Sequence, residues 1–149
     1  MPNLAPDFSL PGTSGPITLS DLRGAPVVLF FYPRDNTPGC TKESEAFTAL
    51  HGEFRNAGIS VFGISKDSLA SHQRFAEKKN LTIPLLSDEQ SDVCEKFGVW
   101  KEKSMYGKKF LGIERSTFLI DAEGQIAREW RKVKVPGHAQ EVLEAALAL

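Results

Sequence analysis

The stretch Val27-Val28-Leu29-Phe30-Phe31-Tyr32-Pro33-Arg34-Asp35-Asn36-Thr37-Pro38-Gly39-Cys40-Thr41-Lys42-Glu43 runs from an apolar segment through a polar turn into a new periodicity. The unbroken β-branched and aromatic run over 27–32 predicts a strand covered on both faces. Over 41–57 the spacing becomes helical, with Phe47, Leu50, Phe54 and Ala57 on one face and Gly58 as the stop. A buried strand feeding such a helix is the repeating unit of an α/β sheet, and the turn between them is where these sheets usually place ligands. Within it, Thr37 suits the N-cap and Pro38 the first helical position. Cys40 then falls in the first helical turn, where unpaired N–H groups and the positive dipole end favour a thiolate.

Working outward, Pro11-Gly12-Thr13-Ser14-Gly15-Pro16 separates Phe8–Leu10 from Ile17–Leu19 and predicts an N-terminal β-hairpin. Downstream, Ile59–Ile64 reads as a second buried strand, 68–79 as a helix, and Leu81–Leu86 as a strand that Pro84 confines to an edge or a bulge. A short helix over 91–97 follows. Ser116–Ile120 and Gln125–Trp130, joined at Asp121-Ala122-Glu123-Gly124, read as antiparallel neighbours, and Val142, Leu143 and Ala146 mark a last helix. The expected fold is one α/β domain over 1–149, a mixed central sheet with helices on both faces. Lys101–Gly112 reads as a solvated loop that joins the short helix to the strand after Arg115, in a position to flank the pocket, and Trp100 and Trp130 as packing residues.

The 149 residues carry a net charge of −1, with 41% apolar and 25% charged side chains, which excludes disorder and leaves no basic footprint for nucleic acid. No apolar stretch approaches the ~18 residues needed to span a membrane, and Met1–Asp7 lacks the regions of a signal peptide. These features predict a cytoplasmic protein without membrane or nucleic-acid partners. Two cysteines, Cys40 and Cys94, make no disulfide framework and no zinc cluster, so a reactive role outweighs a stapling one.

A free thiol with a pKa of about 8.5 is roughly 3% ionised at pH 7, so full ionisation contributes only about 30-fold in rate. Enzymes supply at least about 10⁶-fold, which requires further groups aimed at the transition state. Three other cysteine chemistries fail on spacing or partner. A dithiol oxidoreductase needs Cys three residues before Cys40, where Thr37 stands, and a cysteine phosphatase needs Arg at Ala46. A cysteine hydrolase needs a paired histidine, whereas His51, His72 and His138 each lie on a polar stretch that predicts a solvated ring.

Pro33-x-x-x-Thr37-x-x-Cys40 resembles the active-site signature of the peroxiredoxins, most closely the peroxiredoxin Q or bacterioferritin-comigratory branch. Ala5–Leu10, Gly63–Asp67, Leu86–Asp88, Phe97–Trp100 and Arg115–Asp121 extend the likeness from about residue 4 to the C-terminus. The resemblance implies a thioredoxin-like fold, no cofactor, and a thiol-dependent peroxidase acting on hydrogen peroxide and organic hydroperoxides. By the same resemblance Cys40 is the peroxidatic cysteine, Pro33 shields it, and the Thr37 hydroxyl binds thiolate and peroxide. Arg115 stabilises the developing charge, and Glu43 orients Arg115. The branch implies a monomer.

The chain departs from the family pattern where a resolving cysteine usually stands, with Glu45 and Ala76 at those positions. Cys94 has helical spacing to Phe97, which predicts a core-facing thiol. The expected cycle therefore uses one cysteine, with an external thiol or thioredoxin reducing the Cys40 sulfenic acid. The alternatives are resolution by Cys94, and a thiol switch that does not turn over.

Overall fold

The computed structural model describes residues 3–149. Its frame is a five-stranded sheet built from β3 (Val27–Phe31), β4 (Ser60–Ser65), β5 (Leu85–Ser87), β8 (Ser116–Ile120) and β9 (Ile126–Trp130), in the order β5-β4-β3-β8-β9. β3 pairs parallel with β4 and antiparallel with β8. β4 and β5 run parallel, and β8 and β9 antiparallel. A separate N-terminal hairpin, β1 (Ser9–Leu10) with β2 (Ile17–Thr18), stands where the Pro/Gly turn predicts it.

Alternation along β3 divides the core. Val28, Phe30 and Tyr32 pack with α1 (Pro38–Asn56), α2 (Leu69–Lys79) and α4 (His138–Leu147) on one side of the sheet. Val27, Leu29 and Phe31 pack on the other with the N-terminal segment and the short α3 (Val93–Lys96). Among the described residues α-helices thus cover both faces, α1, α2 and α4 on one and α3 on the other. No described helix is long and apolar enough to cross a membrane.

Three local expectations need correction. Lys101–Gly112 is not a loop but most of a second hairpin, β6 (Trp100–Met105) with β7 (Lys108–Ile113). Its Tyr106-Gly107 turn has positive φ at both residues (53° and 77°), the geometry that suits a two-residue hairpin loop. Ala57 caps the end of α1 and is exposed rather than packed. The segment 81–86 forms strand only from Leu85, at the sheet edge, after Pro84 has removed a donor.

Candidate active site

Cys40 sits in the first turn of α1, with its side chain in the core and the residue only 1% exposed. Thr37 has the extended backbone of an N-cap (φ −89°, ψ 154°), and Thr41 N–H donates to its carbonyl at 2.8 Å. Its hydroxyl does not cap the helix. It turns back and donates to the Arg34 carbonyl at 3.0 Å. Gly39 and Cys40 are therefore early helical positions whose N–H groups lack intrahelical partners, and they favour an anion there.

The register of β3 with β8 pairs Phe31 with Ser116, so Arg115 arrives where β3 ends and the Cys40 loop begins. Arg115 Nη2 donates to Cys40 Sγ at 3.2 Å, and Nη1 donates to Glu43 Oε1 at 2.7 Å. Gly39 eases the approach, because a Cβ there would stand 3.2 Å from Arg115 Nη2, tighter than ordinary contact. Glu43 lies one helical turn beyond Cys40 and is buried, with Oε2 lacking a partner among the described residues. Burial outweighs the attraction of Arg115 and pushes the Glu43 carboxyl up to about 7. Burial works against the Arg115 charge as well, but Glu43 and Cys40 together hold its proton more firmly than usual.

Pro33 and Arg34, both exposed, border a cleft of about 580 Å³ whose far wall includes Lys103 and Phe110 of the β6–β7 hairpin. Lys103 is a cation that motif reading missed, because it lies within the misjudged loop. Its ammonium is held below the ordinary lysine range by burial and by Arg115, with the Cys40 and Glu114 charges opposing.

A buried thiol, a guanidinium shared between that thiol and a carboxylate, and a helix end suited to an anion form a site for thiolate chemistry. The AhpC/TSA family model matches residues 2–129. A putative peroxiredoxin bcp of Coxiella burnetii is 52% identical over 140 residues, 93% of each chain. The Peroxiredoxin Bcp of Bacillus subtilis is 48% identical over 94% of this chain and 90% of its own. Among solved structures, the Xanthomonas campestris bacterioferritin comigratory protein superposes with a TM-score of 0.89 at 48% identity. That match covers 95% of this chain and 90% of the other. The chain belongs to the peroxiredoxins, in their Bcp or Q branch.

This peroxiredoxin is accordingly a thiol-dependent peroxidase with a thioredoxin-like fold. Of the residues expected at its site, Cys40, Glu43 and Arg115 are brought into direct contact, while Thr37 and Pro33 flank them on the preceding loop. Two histidines expected in solvent are buried instead. His72 lies under that loop, its Nδ1 2.7 Å from Asp35 Oδ2. His138 opens α4, with Nε2 2.8 Å from Thr117 Oγ1. The available signal was helical spacing: His72 shares a face with buried Phe75, and His138 with Val142.

Proposed function

We propose that Cys40 is the peroxidatic cysteine of a one-cysteine peroxidase acting on hydrogen peroxide and organic hydroperoxides. The observation that carries this reading is the Arg115 guanidinium, with one nitrogen on Cys40 Sγ and the other on Glu43. The thiolate attacks the terminal peroxide oxygen, an S–O bond forms as the O–O bond breaks, and the departing alkoxide or hydroxide takes a proton. Arg115 stabilises negative charge as it passes from sulfur to the leaving oxygen, and Glu43 fixes the guanidinium plane. Thr37 and Pro33 shape the peroxide side of the site. The Thr37 hydroxyl has to swing from the Arg34 carbonyl to reach the peroxide.

A thiol such as that of thioredoxin then condenses with the sulfenic acid, releasing water, and a second thiol frees Cys40 from the mixed disulfide. An external thiol is favoured because Cys94 packs on the opposite face of the central sheet from Cys40. A disulfide requires Cα atoms within about 7 Å. Burial and Asp88 also hold the Cys94 thiol well above its ordinary range, which leaves it little thiolate. We place the chain, as one domain and a monomer, in the cytoplasm, where two free cysteines stay reduced.

Intact mass spectrometry after one equivalent of hydrogen peroxide tests the cycle. Gain of one oxygen, trappable by a sulfenic-acid reagent and absent in Cys40→Ser, is the expected result. Loss of two hydrogens means that Cys94 resolves. A trapped oxygen with no turnover under thioredoxin or small thiols leaves only a switch.

A further inference from the structure

The loop between β3 and α1 carries Pro33 and Thr37, yet its residues Pro33–Asn36 donate no backbone–backbone hydrogen bond among the described residues. Its shape depends on Asp35, the one residue of Pro33–Thr37 that is buried. Asp35 N–H donates to Asp67 Oδ2 at 2.8 Å, and Tyr32 donates its hydroxyl to Asp35 Oδ1 at 2.6 Å. On Oδ2, the Ser71 hydroxyl donates at 2.8 Å and His72 Nδ1 lies at 2.7 Å. The other ring nitrogen, Nε2, lies 2.9 Å from the Leu86 carbonyl.

These partners determine the hydrogens. A carbonyl only accepts, so Nε2 carries hydrogen. Were Nδ1 bare, its lone pair would face a carboxylate oxygen in a fully buried site. A proton therefore lies between Nδ1 and Oδ2. We infer that His72 is a positioning residue for the peroxide reaction: bonded through hydrogen at both ring nitrogens, it bridges Asp35 from α2 to the Leu86 carbonyl of β5 and so fixes the loop that presents Pro33 and Thr37 beside Cys40. The inference rests on Cys40 being the peroxide-reactive thiol. It is separable from that reading, because Cys40→Ser tests the nucleophile and leaves the clamp intact. Asn36, held at φ +60°, is the strained neighbour that this anchoring must maintain.

Asparagine and glutamine divide the ring's two contacts. His72→Asn keeps a donor near the Nδ1 position, toward Asp35, and His72→Gln keeps one near Nε2, toward Leu86. Stopped-flow rates of Cys40 oxidation by hydrogen peroxide are compared with Cys40 alkylation by iodoacetamide, which needs no peroxide geometry. His72→Gln is expected to lose roughly 10- to 100-fold in the peroxide rate, the scale of a small misplacement of reacting groups. Its alkylation rate should stay within about twofold, and His72→Asn should regain most of the loss. Equal losses in both reactions, or no advantage of Asn over Gln, overturn the inference. Nitrogen-15 shifts of His72 in the unaltered protein test it without a variant. Two protonated-type ring nitrogens, or Nδ1 in a strong shared hydrogen bond, are expected, and an unbonded pyridine-type Nδ1 overturns it.

Discussion

Arg115 reaches two targets at once, and only a planar fork does this with fixed geometry. Nη2 serves the sulfur and Nη1 the carboxylate, so a lysine, whose donors all leave one nitrogen on a flexible stem, cannot reproduce this spacing and plane. Arg115→Lys should therefore fall close to Arg115→Ala in the second-order rate with peroxide. Each should lose roughly 10- to 100-fold, the equivalent of a charge-assisted hydrogen bond of about 1.5–3 kcal/mol. Near-normal kinetics in the lysine variant would show that charge alone suffices. Thr37→Val removes the hydroxyl without much change of volume, and about a tenfold loss in the same rate is expected. Glu43 makes a pH-dependent prediction. Its folded value of about 7 against an ordinary 4.5 means that the folded protein retains a proton that the unfolded chain releases. The stability this adds is complete below about 4.5 and is lost as pH rises through about 7. Chemical denaturation should show Glu43→Gln gaining on the parent across that window, by up to roughly 3 kcal/mol. The opposite slope would mean that Arg115 keeps the carboxylate ionised.

At the scale of elements, α4 begins with a histidine wedged edge-on against Phe47 and Trp130. Burial depresses His138 to about 4 from its usual 6.5. A positive charge would also oppose the N-terminal end of the helix dipole. The docking of α4 thus contributes stability that is whole above about 6.5 and is lost as pH falls through about 4. His138→Gln should flatten that acid limb in a thermal-melting series, and an unchanged limb would place the acid sensitivity elsewhere. His138 also shows what the sequence conveyed poorly. It stands just behind Pro136-Gly137 at the start of its helix, and burial comes from helix α4 meeting α1, a tertiary fact. By contrast β3, whose every residue is apolar, was legible because being buried on both faces leaves no alternation to interpret. The β6–β7 hairpin was hidden for the reverse reason: its strands are mostly exposed and lysine-rich, so composition resembles a loop. The readable clue was Gly107 as the second residue of a two-residue turn.

For the molecule as a whole, the central sheet decides what the two cysteines can do. The Pro33/Thr37/Cys40 motif was legible because its spacing is local. Arg115 and Glu43 were legible only through family resemblance, since the contact between them depends on β8 lying antiparallel to β3. The separation of Cys40 from Cys94 was not legible, because the side of the sheet to which α3 returns is a property of the completed topology. That separation yields the last prediction. Cys94 is wholly buried, and Asp88 accepts from its backbone N–H at 2.7 Å, an interaction that survives loss of the side chain. Cys94→Ala should leave the peroxide rate and thioredoxin-supported turnover within about twofold, while the small cavity costs about 1–2 kcal/mol of stability. A resolving cysteine behaves differently: its removal spares the first oxidation and halts turnover with thioredoxin. Measuring the oxidation step and steady-state turnover on one preparation separates the two outcomes. The loss of stability supplies an internal sign that the core position was altered. If turnover fails while oxidation persists, both α1 and α3 must leave their opposite faces in every cycle.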